Sequence, residues 1–322
     1  MTTAEFSTAC AQAQRIREQI CKMIIGQTAV VDEVLIALFA AGHVLIEGVP
    51  GLGKTLLVKA LAHCISGQYS RIQFTPDLMP SDVTGHALYD LKTDEFKIRK
   101  GPIFTNLLLA DEINRAPAKT QAALLEVMQE TQVTIEGESF TLEPPFIVLA
   151  TQNPVEQEGT YPLPEAQLDR FLLKIHIDYP SLEDESRLVA QITSGHIGDQ
   201  LSVAEIDVVV QAQEILAIQN IVANIQVDQQ VIDYAVQIVH ATREWSGVSM
   251  GAGPRGSISL IRAARSMAFM AERDFVTPDD IKAVSKSVLR HRMSLGAELE
   301  IEGHTVDRLL TDILNRVEAP RA

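Results

Sequence analysis

The sequence predicts an α/β domain with a parallel sheet, followed by a small all-helical domain. Helical patterns separate most of the short apolar segments in the first 180 residues, and this alternation is typical of a parallel sheet flanked by helices. After Asp178-Tyr179-Pro180 almost no segment has a strand pattern, so we expect two domains, residues 1–180 and 181–322. The predicted strands are His43 to Glu47, Arg71 to Phe74, Asn106 to Ala110, Phe146 to Thr151 and Phe171 to Ile177.

The remaining elements are predicted from spacing and turn residues. Residues 5–23 have apolar side chains at helical spacing, and a second helix is expected from about Ala29 to Ala41. Segments 86–99 and 133–142 alternate around polar turns and predict two β-hairpins inserted in the α/β domain. Such insertions either contact partners or are inert elaborations, and composition does not separate the two. The predicted helices of the second domain are Leu182 to Ser194, Val203 to Gln219, Asp228 to Glu244, Ser257 to Arg273, Pro278 to Arg292 and Thr305 to Val317.

Composition and charge narrow the function classes. With 27 Lys and Arg against 42 Asp and Glu, the net charge of −15 repels nucleic acids and anionic membranes. Two short basic clusters, residues 97–100 and 290–292, are interpreted as solvated faces or subunit contacts. The three cysteines, Cys10, Cys21 and Cys64, are far apart, which predicts no disulfide framework and a reducing compartment.

We expect neither a signal peptide nor a membrane-spanning segment in this sequence. Its first six residues lack a basic region followed by an apolar core. No uninterrupted apolar run approaches the ~18 residues that a membrane-spanning helix requires. These features predict a cytoplasmic protein without direct membrane insertion.

The most informative motif lies directly after the first predicted strand. Residues 48–55, G-V-P-G-L-G-K-T, match the phosphate-loop pattern G-x-x-x-x-G-K-[ST] at every fixed position. The glycines let backbone N–H groups turn toward phosphate oxygens, and the following helix adds partial positive charge. We expect Lys54 to reach the β- and γ-phosphates of ATP or ADP and Thr55 to hold Mg²⁺. The predicted nucleotide-binding residues here are Gly48, Val49, Pro50, Gly51, Leu52, Gly53, Lys54, Thr55 and Leu56.

A second motif lies about 50 residues downstream, where a hydrophobic strand ends in two carboxylates, Asp111 and Glu112. This is the Walker B pattern of ATP hydrolases. Asp111 is expected to hold Mg²⁺, directly or through water, and Glu112 to orient and polarise the attacking water. Strand ends often carry acidic residues, so the motif gains its meaning from the phosphate loop before it.

A third polar group follows another predicted strand. Asn153 comes just after Thr151, where its amide could bind the attacking water or the γ-phosphate. Asn153-Pro154 is also a common turn former, and on these residues alone the turn interpretation is favoured.

Taken together, the motifs resemble those of the AAA+ ATPases, and within them the MoxR family. The resemblance covers nearly the whole chain. Gly253 and Gly256 depart slightly from the pattern, since a residue such as Ser or Ala is expected at each. The most specific matching stretches are D-E-I-N-R-A-P at 111–117, A-T-Q-N-P at 150–154, E-G-T-Y-P-L-P-E-A-Q-L-D-R-F at 158–171, G-A-G-P-R-G-S at 251–257 and V-T-P-D-D at 276–280.

The resemblance implies roles for further residues. Asn153 matches the sensor 1 residue, Arg170 the arginine finger that reaches a neighbouring subunit, and Arg255 the sensor 2 residue that contacts the phosphates of its own subunit. Arg115 is either a second interface arginine or a link between Glu112 and the neighbour. The segment that holds adenine is matched by Ile25, Gly26 and Gln27.

The resemblance also implies a fold, an assembly and partners. The fold is a five-stranded parallel sheet between helices, with the two hairpins as family inserts, followed by a helical lid. The assembly is a ring, most often a hexamer, which remodels or matures client proteins with a von Willebrand factor A-domain protein as partner. The main alternative is a nucleotide-dependent scaffold or switch with negligible turnover, which the presence of Glu112 disfavours.

Two further classes are less well supported. A nucleic-acid motor is disfavoured by the acidic balance of the chain and by the lack of a recognisable nucleic-acid-binding domain. A kinase is disfavoured because the pair Asp111 and Glu112, combined with Asn153, Arg170 and Arg255, indicates water as the phosphoryl acceptor.

Overall fold

The structure is a computed structural model that describes residues 2–48, 52–153, 159–193 and 203–320. Its strands are β1 (Val44–Gly48), β2 (Tyr69–Gln73), β3 (Gly85–Asp90), β4 (Glu95–Lys100), β5 (Leu107–Asp111), β6 (Gln132–Ile135), β7 (Glu138–Thr141), β8 (Ile147–Gln152), β9 (Leu173–Ile177), β10 (Val248–Met250) and β11 (Ser294–Leu295). Its α-helices are α1 (Thr3–Met23), α2 (Thr28–Phe39), α3 (Lys54–Cys64), α4 (Pro80–Thr84), α5 (Ala118–Glu130), α6 (Glu165–Leu168), α7 (Leu182–Thr193), α8 (Ala212–Ala223), α9 (Gln229–Glu244), α10 (Pro254–Met270), α11 (Pro278–Leu289), α12 (Ala297–Ile301) and α13 (Val306–Arg316).

All of the predicted strands lie in one parallel sheet. Its order is β2-β5-β8-β1-β9, and every neighbouring pair is parallel. The α/β fold class is confirmed. Because parallel strands point the same way, the residues that follow β1, β5 and β8 meet at one edge of the sheet.

The sheet is covered on both faces, as its apolar strands predict. Within β5, Leu107 and Leu109 face the core formed with α1, α2 and α3, whereas Leu108 and Ala110 face the core formed with α5. This alternation is the period of two of an extended strand.

The first of these cores continues into the lid without a break in the described residues. The ring of Phe269, on α10, meets those of Phe6 on α1 and Phe39 on α2, with centroids 5.9 and 5.4 Å apart. The N-terminal helices therefore connect the sheet to the lid through apolar packing.

Both predicted hairpins are confirmed. In β3–β4, Gly85 pairs with Lys100 and Asp90 with Glu95. In β6–β7, Glu136 and Gly137 form the turn with φ values of 50° and 85°, as a tight hairpin turn requires. Residues 97, 99 and 100 are exposed on β4, in agreement with a solvated face.

The lid is helical, with differences from the predicted boundaries. The predicted helix over 203–219 is confirmed over residues 212–219 but its start is wrong, because the structure has a short 3₁₀ turn at Val203–Glu205 and begins α8 only at Ala212. Between them, the N–H groups of Val209 and Val210 donate to the carbonyl of Cys64, which keeps this segment out of a helix. The lid also contains the short helix α12 and the antiparallel pair β10–β11, which the sequence analysis did not predict.

The interpretation of residues 290–292 as a solvated cluster is also wrong. His291 and Arg292 are buried, with 5% and 4% of their surfaces exposed, and Arg290 pairs with Asp307 on α13. The apolar pattern of α11 ends at Leu289, and the chain then turns these basic groups inward toward carbonyl acceptors. All three cysteines are free thiols. Among the described residues, no helix combines the length and apolarity needed to span a bilayer.

Candidate active site

The phosphate loop joins the end of β1 to the first turn of α3. Gly53, directly before α3, has φ 74°, a left-handed conformation that glycine adopts at little cost. The side-chain amide of Gln27 donates to the carbonyl of Leu52 over 3.3 Å, so the predicted adenine segment contacts the loop. Three predicted nucleotide-binding residues lie outside the described part of the chain, namely Val49, Pro50 and Gly51.

Lys54 lies across the base of this loop. Its Nζ donates to the carbonyl oxygen of Gly48 at 2.6 Å. Burial lowers the pKa of Lys54, whereas the nearby charges of Asp111 and Glu112 raise it. The ammonium group is therefore close enough to both predicted acids to interact with their charges. Thr55 and Leu56 follow in the first turn of α3, where free N–H groups face any bound anion.

The two acids are held at the end of β5 by a hydroxyl from the neighbouring strand. Thr151, on β8, donates its Oγ1–H to Oδ1 of Asp111 at 2.6 Å and accepts the backbone N–H of Glu112 at 2.9 Å. Glu112 has φ 55° and ψ 50°, a left-handed conformation that costs free energy in a residue with a Cβ. The bond to Thr151 stabilises this turn, which separates the directions of the two carboxylates.

Polar side chains from β2 and from the turn after β5 also contact the two carboxylates. Arg71, on β2, pairs with Oδ2 of Asp111 at 2.6 Å. Oε2 of Glu112 accepts from the side-chain amide of Gln73 at 2.9 Å and lies 3.0 Å from Nε of Arg115. Arg115 therefore contacts Glu112 within its own chain, and both of its predicted roles toward a neighbouring subunit stay predictions.

The donor chemistry at this edge fits a bound magnesium nucleotide. Mg²⁺ prefers hard oxygen ligands and is bound in such sites by one or two protein groups together with phosphate oxygens and water. The carboxylate of Asp111 and the hydroxyl of Thr55 are of this kind. In the described ranges, no cluster of three or more His, Cys, Asp or Glu could hold a metal by itself. The protein thus offers a partial ligand set that phosphate oxygens would complete.

Asn153 lies in the same row of strand ends. It follows β8 directly, and its surface is only 7% exposed. Because β8 lies between β5 and β1, the topology places Asn153 between the acid pair and the phosphate loop. The turn interpretation suggested by Asn153-Pro154 alone misses this placement, and Pro154 lies outside the described residues.

Arg170 and Arg255 lie near the opposite edge of the sheet, where the strands begin rather than end. Arg170 precedes β9, whose first residue Leu173 pairs with Val44 at the start of β1. It is thus roughly 13 Å, one five-residue strand, from the edge that carries the phosphate loop. Its Nη1 donates to the carbonyl of Leu125 on α5. Nη1 of Arg255 lies 3.7 Å from Oδ2 of Asp169, next to Arg170.

This placement changes the expectation for Arg255. The resemblance implied contact with the phosphates of its own subunit, but the structure sets Arg255 beside Asp169 rather than beside Lys54. The physical reason is the packing of α10 and α11 over the start of β9, which places the N-terminus of α10 at that edge. Arg255 therefore lies beside the residue that precedes Arg170, while the guanidinium of Arg170 binds the carbonyl of Leu125 in its own chain.

The predicted adenine segment lies against the start of the lid. Gly26 has φ 75°, and a Cβ added there would approach Cβ of Asp184, on α7, to 2.7 Å. The side-chain amide of Gln191, also on α7, donates to the carbonyl of Lys22 at 3.4 Å. Ile25 and Gln27 flank this close contact as partly exposed residues. The segment is thus covered on one side by the lid and joined to the phosphate loop by Gln27.

Three residues with a part in this arrangement were missed by the sequence analysis: Arg71, Gln73 and Thr151. The first two lie on β2 and bind acids at the end of β5, so their partners follow about 40 residues later. No local motif marks such pairs. The alternation of β2 does place residues 71 and 73 on one face, which is the only sign in the sequence.

Comparisons with known proteins agree with this geometry. A family model described as the ATPase family associated with various cellular activities (AAA) matches residues 43–173, and an AAA lid domain model matches residues 240–313. A crystal structure from Cytophaga hutchinsonii, described as a candidate ATPase, superposes with a TM-score of 0.91 at 41% identity and covers 99% of this chain and 98% of its own. The fold and the site thus define an AAA+ ATPase.

Named relatives narrow the class further. Chaperone MoxR1 of Mycobacterium tuberculosis is 43% identical over 94% of this chain and 81% of that protein. Protein MoxR of Methylorubrum extorquens is 31% identical over 96% of this chain and 95% of that protein. The chain belongs to the MoxR family of AAA+ ATPases.

Proposed function

We propose that this chain hydrolyses ATP at the interfaces between subunits of a ring, with the hexamer as the expected assembly, and uses the reaction to remodel or mature client proteins. The observation that carries the proposal is the acid pair that Thr151 fixes at the edge of the sheet that also carries the phosphate loop. A scaffold without turnover has no need for a second carboxylate in a strained backbone conformation.

In this mechanism, water attacks the γ-phosphorus while the bond from that phosphorus to the β,γ-bridging oxygen breaks, giving ADP and phosphate. Glu112 accepts a hydrogen bond from the attacking water and Asn153 helps to orient it. Lys54 and the N–H groups at the start of α3 stabilise charge on the phosphates. Mg²⁺, held by Thr55 and Asp111, would supply further charge neutralisation.

The interface is needed because the two arginines that match the family motifs lie away from the phosphate loop of their own chain. Arg255 contacts Asp169, the residue before Arg170, and we assign both arginines to the nucleotide of the next subunit. There they would neutralise charge that develops on the transferred phosphoryl group. The lid from residue 181 and the α/β domain up to residue 180 remain a proposed division of the chain.

The assignment of partners rests on the family rather than on a contact. A protein client and a protein with a von Willebrand factor A domain are the partners that the resemblance supports, in a cytoplasmic setting. We propose no nucleic-acid partner, since the net charge of −15 opposes one.

The test is the rate of ATP hydrolysis per chain as a function of protein concentration. We expect the rate to rise as chains assemble, and Arg170→Ala to lower kcat by about 10³-fold, the lower end of the range for arginine fingers. Glu112→Gln should lower kcat by at least about 100-fold while ATP binding persists. A rate per chain that stays flat across assembly would contradict hydrolysis at interfaces, and full turnover by the Glu112→Gln variant would contradict the role of Glu112.

A further inference from the structure

A charged side chain is buried where the lid meets the sheet. Arg292 follows α11, and 2% of its side chain is exposed. Its five N–H groups have six acceptors within hydrogen-bond distance, and three of these are around Nη2, so one N–H is shared between two acceptors. A guanidinium has five N–H groups in a rigid planar fork, so a site that satisfies all of them fixes the position of every acceptor.

The acceptors belong to two parts of the molecule. Four of them lie in the segment 169–172 that contains Arg170, namely Oδ1 and the carbonyl of Asp169 and the carbonyls of Phe171 and Leu172. The other two belong to the lid, the hydroxyl of Ser259 on α10 and the carbonyl of Val288 on α11. Arg292 therefore joins the segment that carries Arg170 to two lid helices.

The neighbouring histidine reinforces this connection. Nε2 of His291 lies 3.0 Å from the carbonyl oxygen of Phe171, which also accepts from Nη2 of Arg292 at 2.7 Å. Burial lowers the pKa of His291 well below its usual value, so the ring is neutral at neutral pH and donates from Nε2. Two side chains of the lid thus bind the carbonyl group of Phe171, the residue directly after Arg170.

Asp169 extends the network to the second arginine. Its Oδ1 accepts from Nε of Arg292 at 2.7 Å, while its Oδ2 lies 3.7 Å from Nη1 of Arg255. One carboxylate therefore lies between a buried arginine and an exposed one. Burying a charged group costs desolvation free energy, which the burial of an apolar side chain does not. Hydrogen bonds, however, are directional, so they fix the relative positions of the groups they join more closely than apolar contacts do.

We propose that Arg292 is a positioning residue for hydrolysis in the next subunit. It holds segment 169–172 against α10 and α11, so that Arg170 and Arg255 reach the neighbouring nucleotide as one unit. A movement of the lid is then transmitted directly to both arginines. This inference rests on the proposed function, because it requires hydrolysis at an interface.

The test uses mixtures of two defective proteins. Arg292→Lys keeps the charge but loses the planar fork, so we expect kcat to fall at least tenfold with an unchanged Kd for a fluorescent ADP. Glu112→Gln lacks hydrolysis but keeps its arginines. Mixed rings should recover activity above the sum of the separate proteins, because the Glu112→Gln chains present intact arginines to the functional sites of Arg292→Lys chains. Arg170→Ala mixed with Glu112→Gln is the matched control and should recover in the same way.

The outcomes separate this inference from the proposal beneath it. If the mixture containing Arg170→Ala recovers and the mixture containing Arg292→Lys does not, Arg292 acts on its own chain and the inference is wrong. Wild-type turnover by Arg292→Lys would also overturn it. If neither mixture recovers, hydrolysis at interfaces is itself wrong. Should Arg292→Lys fail to fold, Ser259→Ala removes a single lid anchor, and a smaller loss of kcat that recovers on mixing is the expected result; full activity would contradict the inference.

Discussion

At the scale of single residues, the hydroxyl of Thr151 organises the acid pair. It is buried, donates to Asp111 and accepts from the backbone of Glu112. A hydroxyl can do both at once, whereas a methyl group can do neither. The two carboxylates therefore depend on one atom of a neighbouring strand for their relative placement.

Replacing Thr151 by valine removes this hydroxyl while preserving the shape of the side chain. We expect kcat for ATP hydrolysis to fall by about 10–100-fold, which is typical of residues that position a functional side chain without contacting the substrate. The Kd for ADP should change little. Thr151→Ser keeps the hydroxyl and is the matched control, which should retain most activity. A valine variant with wild-type kcat would show that the backbone of Glu112 holds its conformation without this bond.

A second residue-scale prediction concerns acid stability. The ring of His43 is partly buried and held neutral by two hydrogen bonds, in which Nδ1 accepts the N–H of Val148 at 3.0 Å and Nε2 donates to the carbonyl of Met128 at 3.1 Å. Burial lowers the pKa of His43 from 6.5 to about 4. Above pH 6.5 the ring is neutral in both folded and unfolded chains, so its full contribution to stability is present.

As the pH falls from 6.5 toward about 4, the unfolded chain takes up a proton at His43 and the folded chain does not. The free energy of unfolding should therefore decrease by about 1.4 kcal/mol per pH unit from this group. His43→Gln does not titrate and should show a shallower decrease in urea unfolding between about pH 7 and about pH 5. Equal slopes for both proteins would mean that His43 is protonated in the folded state.

The residue scale also shows which site residues a sequence can reveal. Lys54, Thr55, Asp111 and Glu112 belong to local motifs, because a strand, a loop and a helix start suffice to place them. Arg71, Thr151 and Arg292 act on partners that are 40 to 123 residues away in the chain. Only the order of strands and the packing of the lid bring those partners together, and no short sequence motif predicts either of them.

At the scale of elements, the strands and hairpins were predictable because each is a compact apolar or alternating segment between turns. The segment before α8 was not, because its helical spacing is overridden by hydrogen bonds from Val209 and Val210 to the end of α3. The capping box formed by Gln211 and Glu214 then begins α8. Tertiary contacts decided this boundary rather than local preference.

The turn between α1 and α2 gives a prediction at this scale. Gly26→Ala places a Cβ against Asp184 of α7 and strains a left-handed backbone. We expect α7 to be displaced from the adenine segment, and the Kd for ADP to rise about tenfold, which corresponds to about 1.4 kcal/mol. Gly303→Ala is the control, since Gly303 has φ 77° but no atom lies within 4 Å of its added Cβ.

Gly303→Ala should lower the thermal midpoint slightly through backbone strain and leave the Kd for ADP unchanged. If Gly26→Ala binds ADP as tightly as the wild type, residues 25–27 do not hold the base. If both variants weaken binding equally, the effect comes from lost stability rather than from the contact with Asp184.

At the scale of the whole molecule, the continuous core links α1 and α2 to the lid. A lid that swung freely would open the contacts of Phe269 with Phe6 and Phe39 and expose apolar surface to water. This cost favours a lid that moves with the helices beneath it. The sequence showed two regions of different character, but it could not show that their apolar faces merge.

The separation of Lys54 from Arg170 across the sheet determines how many complete catalytic centres an assembly can contain under the proposed mechanism. Under the proposed mechanism, each protomer carries the two halves of a catalytic centre on different flanks, so we expect head-to-tail assembly in which a lone protomer has no complete centre. Under the proposed mechanism, an open arc always has one complete centre fewer than it has protomers. Closure of the arc supplies the missing centre without adding any further chain.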